Sequence, residues 1–582
     1  MSGHKTLQEF ISETKIYLKS GEYDLALDVL LSAIKVFPNE IPLIINIGNI
    51  LKHKGRSDQA ESYYKKSLEI EKTKEAYNNL SVIYLDNNNV DLAIDNSEKA
   101  LEIDPEYTDA RCNAALAFER DGQYENAIDH IKVVLDLDKK NLRALVILFN
   151  LYQNTCNWDE IGVIEKKLDT MAGNGLEHPF MGVSRTEDLE INYKIAKSYA
   201  EKNYTQLGAS SEFSMIGGGI ETSNSDMDKI KIGYVCGEFR NHPTYHLTKN
   251  LFKSHDSSKF NIFLFSFHHD EEIKKELKKD VFKFQDITNI SDAAAIEMIK
   301  ECDLDILIDL SVVISANRIN ILRAKPAKKI ISYLGFPGTS GHDFYDYILT
   351  DKIVTPHDYQ SYFTEKFLYI PGCYQVNNGK SNFSSPMTSR EEHLLPQEAT
   401  VLACFNQAFK LDKQTFECWI EILQEIPKSV LWLLNDNKLA RNNLVKYINE
   451  KNISDTRIIF ANKVPREKHL ERLKLADVAL DTRVYNGHTT TSDALQVGVP
   501  VVTKTGNHFA SRVSTSLLYS LDLDELCCDD MESYKNKIIE ICKDEQIKSK
   551  ILNKLKDTNK YDTRHDNKVF AKKLEKTLLE IL

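Results

Sequence analysis

The N-terminal part of this 582-residue chain is written in a repeat of about 34 residues, and that period constrains the fold more than any other feature. Ala26, Ala60, Ala93, Ala127 and Ile161 follow one another at intervals of 34, 33, 34 and 34. Tyr17, Leu51, Tyr84, Phe118 and Tyr152 keep the same intervals, and the small residues Gly48, Ser81 and Ala115 share the 33-residue slip. Pro38 and Pro105 stand two periods apart, where one unit would end and the next begin. Each unit reads as two amphipathic helices joined by a turn such as KSGEYD, HKGRSD, DNNNVD or RDGQYE. Such a unit cannot bury its apolar face alone, so neighbours must stack.

The pattern resembles the tetratricopeptide repeat, about five units over residues 1–175. A large residue of the first helix is expected to pack on a small residue of the second. The resemblance implies a superhelix whose groove holds protein or peptide partners; a spacer or an oligomerisation arm is the alternative. The rest of the chain is too long for one further core. Its composition, 42% hydrophobic and 27% charged, is that of a globular protein. A net charge of −12 lacks the basic surface that general nucleic-acid binding requires. The ten cysteines are scattered with no CxxC, so we expect reduced thiols, no zinc site and a cytoplasmic setting. MSGHKTLQEFISETK has no apolar run of signal-peptide length, and no stretch of 18 apolar residues occurs, so no membrane association is expected.

After a helical linker over 176–228, ending in the polar stretch MIGGGIETSNSDMD, the periodicity changes. Short β-branched runs (KIGYV, FNIFLFSF, DILIDL, KKIISYLG, FLYIP) alternate with helical patterns. A second polar break, NNGKSNFSSPMTSREEH, precedes TVLACFN, SVLWLLN, RIIFAN, DVALDT and VPVVT. Two doubly wound parallel-sheet lobes follow from this, 229–385 and 399–582, joined by a linker at 386–398. Ligands of such folds bind beyond the carboxyl ends of strands, which points to the cleft between the lobes.

The segment DVALDTRVYNGHTTTSDALQVGVPVVT, residues 477–503, is a buried strand ending at Asp481, a loop, and a helix that begins at Thr489–Thr491 and carries Asp493. The unpaired N–H groups of that helix and its dipole suit a diphosphate, and His488, Thr489 and Thr490 add side-chain donors. A simple Thr cap beside an incidental histidine is the structural alternative. Asn406, Gln407 and Lys410 follow a strand, where a lysine could neutralise a departing diphosphate or merely sit in solvent. His469 and Arg472 share one helical face, fit to stack on a base and donate to its carbonyls, or to form an ordinary surface. In KIGYVCGEFRNHPTYHL a strand ends before Asn241, His242, Pro243 and Thr244, with His242 a candidate to contact a sugar or hydroxyl. SYLGFPGTSGHDFYDYILTD is a glycine-rich loop that lets backbone approach a ligand.

In order, NHPT, LGFPGTSG, FNQ with a following lysine, RIIF, LADVALDT, NGHTT and ASRVSTSLL are similar to the O-GlcNAc transferase family over about residues 229–530, and the repeats and EHPF resemble its bacterial-type members. The resemblance implies a GT-B fold, a UDP-GlcNAc donor, Ser/Thr of proteins as acceptor, inversion at the anomeric carbon and no metal or other cofactor. It places Gln407 and Lys410 at the diphosphate, His469 and Arg472 on the uracil, Asp493 on the ribose and His488, Thr489 and Thr490 on phosphate. His242, Leu334, Gly335 and Pro337 would border the sugar and acceptor. His242 and Lys410 are the catalytic candidates, His242 as base unless the donor's own phosphate takes the proton. Two positions depart from the family: Arg466 stands where members carry lysine, and Ser311-Val312-Val313-Ile314 replaces a polar Ser/Asn-Gly-His/Tyr-Thr stretch. The second departure leaves open a UDP-glucose or GDP-fucose donor, or a repeat scaffold with weak turnover. The resemblance is compatible with a homo-oligomer.

Overall fold

The structure is a computed structural model describing residues 5–204, 229–313, 318–377, 388–556 and 566–582. Ile314 and the polar stretches at 205–228 and 378–387 lie outside the described residues. The chain divides into two compact units, the first running to Tyr152 and the second beginning at Gln153.

The first unit is helical. Its pairs are α1 (Leu7–Ser20) with α2 (Tyr23–Val36), α3 (Ile41–His53) with α4 (Ser57–Ile70), α5 (Lys74–Asp86) with α6 (Val90–Ile103) and α7 (Thr108–Arg120) with α8 (Tyr124–Leu137), followed by α9 (Leu142–Asn154). The periodic alanines Ala26, Ala60, Ala93 and Ala127 are fully buried. Between paired helices the size relation is reversed from expectation at Gly48, whose absent Cβ would lie 2.4 Å from the buried Tyr64 ring of the second helix. In the next pair two small residues meet, and Ser81 and Ser97 share a hydrogen bond of 2.6 Å. Within each of these four pairs the turn passes through a left-handed residue: Gly21, Gly55, Asn88 and Gly122 have φ of 77°, 72°, 57° and 78°. Asparagine replaces glycine in DNNNVD because its short polar side chain tolerates that conformation.

The partner helix of the fifth repeat, α10 (Ile161–Thr170), belongs to the second unit. The turn before it is buried there: Trp158 Nε1 donates to the Leu411 carbonyl at 3.1 Å, and Asn437 and Asn443 donate to the carbonyls of Asn154 and Thr155. Two helices follow, α11 (Pro179–Arg185) and α12 (Leu189–Tyr204).

Two all-parallel sheets form the remainder. The first has order β3-β2-β1-β4-β5-β6-β7, built from β1 (Ile230–Cys236), β2 (Phe260–Ser266), β3 (Lys283–Asp286), β4 (Ile306–Asp309), β5 (Lys329–Ser332), β6 (Tyr347–Thr350) and β7 (Lys366–Tyr369). The second has order β10-β9-β8-β11-β12-β13, from β8 (Thr400–Cys404), β9 (Ser429–Leu434), β10 (Ile458–Ala461), β11 (Val478–Leu480), β12 (Val501–Lys504) and β13 (Cys527–Cys528). β2 is buried at every residue, as a strand covered by helices on both faces must be. The crossovers of the first sheet carry α13 (Pro243–Thr248), α14 (Glu271–Asp280), α15 (Asp292–Lys300) and α16 (Ile319–Arg323). Those of the second carry α17 (Lys413–Glu425), α18 (Lys438–Glu450), α19 (Arg466–Leu473), α20 (Thr489–Gln496) and α21 (Val513–Tyr519), before α22 (Met531–Lys543) and α23 (Glu545–Lys556). The last described helix, Asn567–Leu579, returns to the first lobe, where its buried Glu575 accepts from His255 Nδ1 at 3.1 Å and the Asp256 amide at 2.8 Å.

The order in which strands are added reverses between β1 and β4 in one sheet and between β8 and β11 in the other. Crevices open at such switch points, beyond the carboxyl ends of the strands. All ten cysteines are free thiols, and no described helix is long and apolar enough to cross a membrane.

Candidate active site

Both switch points carry the residues singled out by sequence. In the second lobe, β8 runs into Asn406, Gln407 and Lys410, and β11 runs into the loop 481–488. β11 closes at Leu480, one residue before the Asp481 end read from sequence. The two loops are sewn together: Asn406 Nδ2 donates to Thr482 Oγ1 at 2.9 Å, and Thr490 Oγ1 donates to Asn406 Oδ1 at 2.5 Å. Buried Asp481 shapes the turn by accepting the Gly487 amide at 2.6 Å and the Thr503 hydroxyl at 2.6 Å. Gly487 must be glycine, since a Cβ there would fall 2.5 Å from Thr490 Oγ1 and 2.6 Å from Thr491 Oγ1. His488 occupies the N-cap of α20, and its buried Nε2 has no hydrogen-bond partner. Thr489 and Thr490 form the first turn, half-buried, so an open helix terminus with its dipole faces the crevice.

Lys410 is half-buried beside this terminus. Its Nζ donates to the Asn486 carbonyl at 2.9 Å and lies 4.1 Å from the Tyr485 ring centroid. Burial pushes its ammonium down to about 8, partly offset by the charge of Asp481. Burial, with Lys410 adding to it, holds His488 well below the usual imidazole range, so that ring is neutral. Gln407 is exposed at the rim.

On the other side of α20, Arg472 Nε approaches His469 Nδ1 at 3.4 Å, and both pack on Phe405, the guanidinium 4.8 Å and the imidazole 4.9 Å from its centroid. Burial holds His469 at about 4, with the charges of Arg472 and Arg466 adding to the effect. His469 is therefore a neutral, flat surface fit to meet a base. Arg466 Nη2 pairs with Asp493 Oδ1, so the carboxylate placed on the ribose by the resemblance is engaged by arginine in this structure. Burial raises Asp493 to about 6, with Arg466 pulling the other way.

In the first lobe, the polypeptide after β1 turns into α13, with His242 as its N-cap. His242 Nδ1 accepts the Thr244 amide at 3.3 Å, and burial lowers its affinity for a second proton. A neutral ring accepting at Nδ1 carries its proton on Nε2. That nitrogen is thus a hydrogen-bond donor in this geometry. After β4, buried Asp309 accepts the Ser311 and Val312 amides at 2.8 and 3.0 Å and the Tyr345 hydroxyl at 2.6 Å. Val312 has φ +53°, a left-handed conformation for a buried β-branched residue, at the position where the resemblance implies glycine. Leu334, at φ 69°, and Gly335 lie against this loop, and a Cβ on Gly335 would fall 2.2 Å from the Leu310 carbonyl oxygen. Pro337 is buried and lines a recess with Pro179, Val183 and Phe509.

The lobes meet through Ser516 Oγ, which donates to Asp351 Oδ2 at 2.6 Å, and Gln375 Nε2, which donates to Ser492 Oγ at 2.6 Å. Tyr485 and Asn486 were not singled out by sequence, because their contacts with Lys410 join the loops after β8 and β11. Among the described residues, His269, Glu271 and Asp286 lie close enough to hold a metal, but the Lys274 ammonium stands 3.0 Å from Glu271 and 2.6 Å from Asp286.

Comparison with known proteins agrees with this fold. The model of glycosyl transferase family 41 matches residues 219–385 and 378–574, and that of the tetratricopeptide repeat matches 41–74 and 74–107. Over 321 residues the chain is 32% identical to a probable UDP-N-acetylglucosamine–peptide N-acetylglucosaminyltransferase, SEC, of Arabidopsis thaliana, covering 54% of this chain and 33% of that protein. Over 420 residues it is 28% identical to the UDP-N-acetylglucosamine–peptide N-acetylglucosaminyltransferase of Caenorhabditis elegans, covering 53% and 36%. The chain spans about a third of the length of these curated relatives. A mutant O-GlcNAc transferase of Thermobaculum terrenum shares the fold with a TM-score of 0.66 at 21% identity, over 93% of this chain and 98% of that one. With the family match extending over more than half of its length, the chain belongs to glycosyl transferase family 41.

Proposed function

We propose that the protein transfers N-acetylglucosamine from UDP-GlcNAc to Ser/Thr hydroxyls of proteins with inversion, the repeat unit holding the acceptor polypeptide. The carrying observation is the pairing of Lys410 with the open N-terminus of α20 at a sheet switch point. Negative charge grows on the UDP oxygen as the anomeric bond breaks. The Lys410 ammonium, the first amides of α20 and the Thr489 and Thr490 hydroxyls would meet it where water is partly excluded. This positive group lets the chain work without a metal. Stacking on His469 and donation from Arg472 would hold the uracil, and the ribose would compete with Arg466 for Asp493. His242, donating through Nε2, would orient the sugar or acceptor, and a donor phosphate oxygen would take the acceptor proton.

A second reading is favoured by Val312 and Val313, which are 1% and 2% exposed and offer no polar side chain beside the sugar region. UDP-glucose, which has no acetamido group for polar side chains to hold there, is the donor of this second reading. Incubating purified protein and host lysate with UDP-GlcNAc, UDP-glucose and GDP-fucose, followed by intact mass, separates these cases. A mass increment from N-acetylhexosamine supports the first reading, and one from hexose the second. UDP binding with no transfer to protein would overturn both in favour of a scaffold.

A further inference from the structure

Lys410 is unusual for a charge placed to meet phosphate, because among the described residues no carboxylate oxygen lies within ion-pair distance of it. Its ammonium has three N–H donors. One is taken by the Asn486 carbonyl, and the Tyr485 ring lies beneath the group with its centroid 4.1 Å from Nζ. The ring itself is 5% exposed and held from several sides. Its centroid is 4.9 Å from that of His488, at an interplanar angle of 21°, 5.7 Å from Phe180 of α11 and 5.9 Å from Phe409. Phe180 and Phe409 in turn stand 5.5 Å apart. Three rings, His488, Phe180 and Phe409, therefore brace the one aromatic face that lies under the amine.

From this geometry we propose that Tyr485 is the positioning residue for Lys410, an aromatic seat that holds the ammonium toward the diphosphate by cation–π attraction; the proposal rests on the donor-site reading above. An aromatic face is suited to this task. A carboxylate would bind the ammonium tightly and compete with the incoming phosphate, whereas a ring quadrupole attracts the cation without neutralising it. The carbonyl of Asn486 adds direction, and the remaining N–H is left for the ligand. Because the seat is braced by Phe180, α11 contributes to the donor site without touching the donor.

The test compares Tyr485→Phe with Tyr485→Leu in the full chain, alone and with Lys410→Met, using UDP binding by calorimetry and the kcat and KM of transfer. Phenylalanine keeps the ring and should bind UDP as the unsubstituted protein does. Leucine keeps apolar bulk but loses the face, and should weaken UDP binding and lower kcat by about tenfold, with the acceptor KM unchanged. In the Lys410→Met background the leucine substitution should add nothing. Equal binding by the leucine and phenylalanine variants, or the same loss with and without Lys410, would overturn the proposal. Failure of the unsubstituted protein to bind UDP would overturn the donor-site reading itself, and the proposal with it.

Discussion

Arg466 and Asp493, 27 residues apart, are joined as an ion pair that links the first residue of α19 to the middle of α20. The pair ties the helix that presents His469 and Arg472 to the helix whose N-terminus faces the crevice. Burial raises Asp493 to about 6 against an ordinary 3.8, so the folded state binds its proton more tightly than the unfolded chain. This contribution to stability is full below pH ~4 and is lost as pH rises through ~6. Arg466→Met removes the charge that offsets burial. It should raise the Asp493 pKa further and steepen the fall in Tm between pH 4 and 7, read by thermal melts across that range. An unchanged pH profile would show that the pair does not set this titration.

Lys410→Met should lower the transfer rate by about 10²–10³-fold while leaving Tm unchanged or higher, since a partly desolvated charge is removed. In the unsubstituted protein the charged ammonium is present below about 8 and lost above it. The rate should therefore fall on the alkaline side of that value. An alkaline limb that persisted in a slow Lys410→Met enzyme would belong to another group.

His242 offers a donor at Nε2 because Nδ1 is occupied by the Thr244 amide. His242→Gln retains an N–H donor and should keep transfer within about tenfold of the unsubstituted rate. A loss of about 10²–10⁴, the usual contribution of general base catalysis, would show instead that the imidazole takes the proton.

Gly487→Ala forces a methyl group against the Thr490 and Thr491 hydroxyls. The overpacked turn should cost about 1–3 kcal/mol and displace the start of α20, so UDP affinity should fall along with Tm. Retention of full UDP affinity would mean that the turn yields without moving the helix terminus.

Val312 carries a left-handed backbone at φ +53°. Val312→Gly should be more stable than Val312→Ala by about 1 kcal/mol, inverting the usual ranking, because only glycine relieves the Cβ–carbonyl crowding of that conformation. Denaturant melts of the two variants decide the point, and a more stable alanine variant would show that the loop relaxes elsewhere.

Much of this architecture is legible in the linear chain because its causes are local. A 34-residue period exposes stacked helix pairs, and buried strands alternating with amphipathic helices expose doubly wound lobes. The NGHTTT run carries the parts of the proposed anion site together, since the glycine, the cap and the first-turn hydroxyls are neighbours in sequence. Other features required the folded chain. The seat of Lys410 on Tyr485 joins residues 75 positions apart, on loops after β8 and β11 that only sheet order brings together. Arg466 opposite Asp493, the Phe180 brace and the proton position on His242 likewise come from contacts between separate elements or from one backbone amide. The fifth repeat shows the same division: its period continues to Ile161, yet Trp158 is buried under the Leu411 carbonyl, so α10 belongs to the second unit. Periodicity sets what a segment can form, and packing against distant surface decides where it goes.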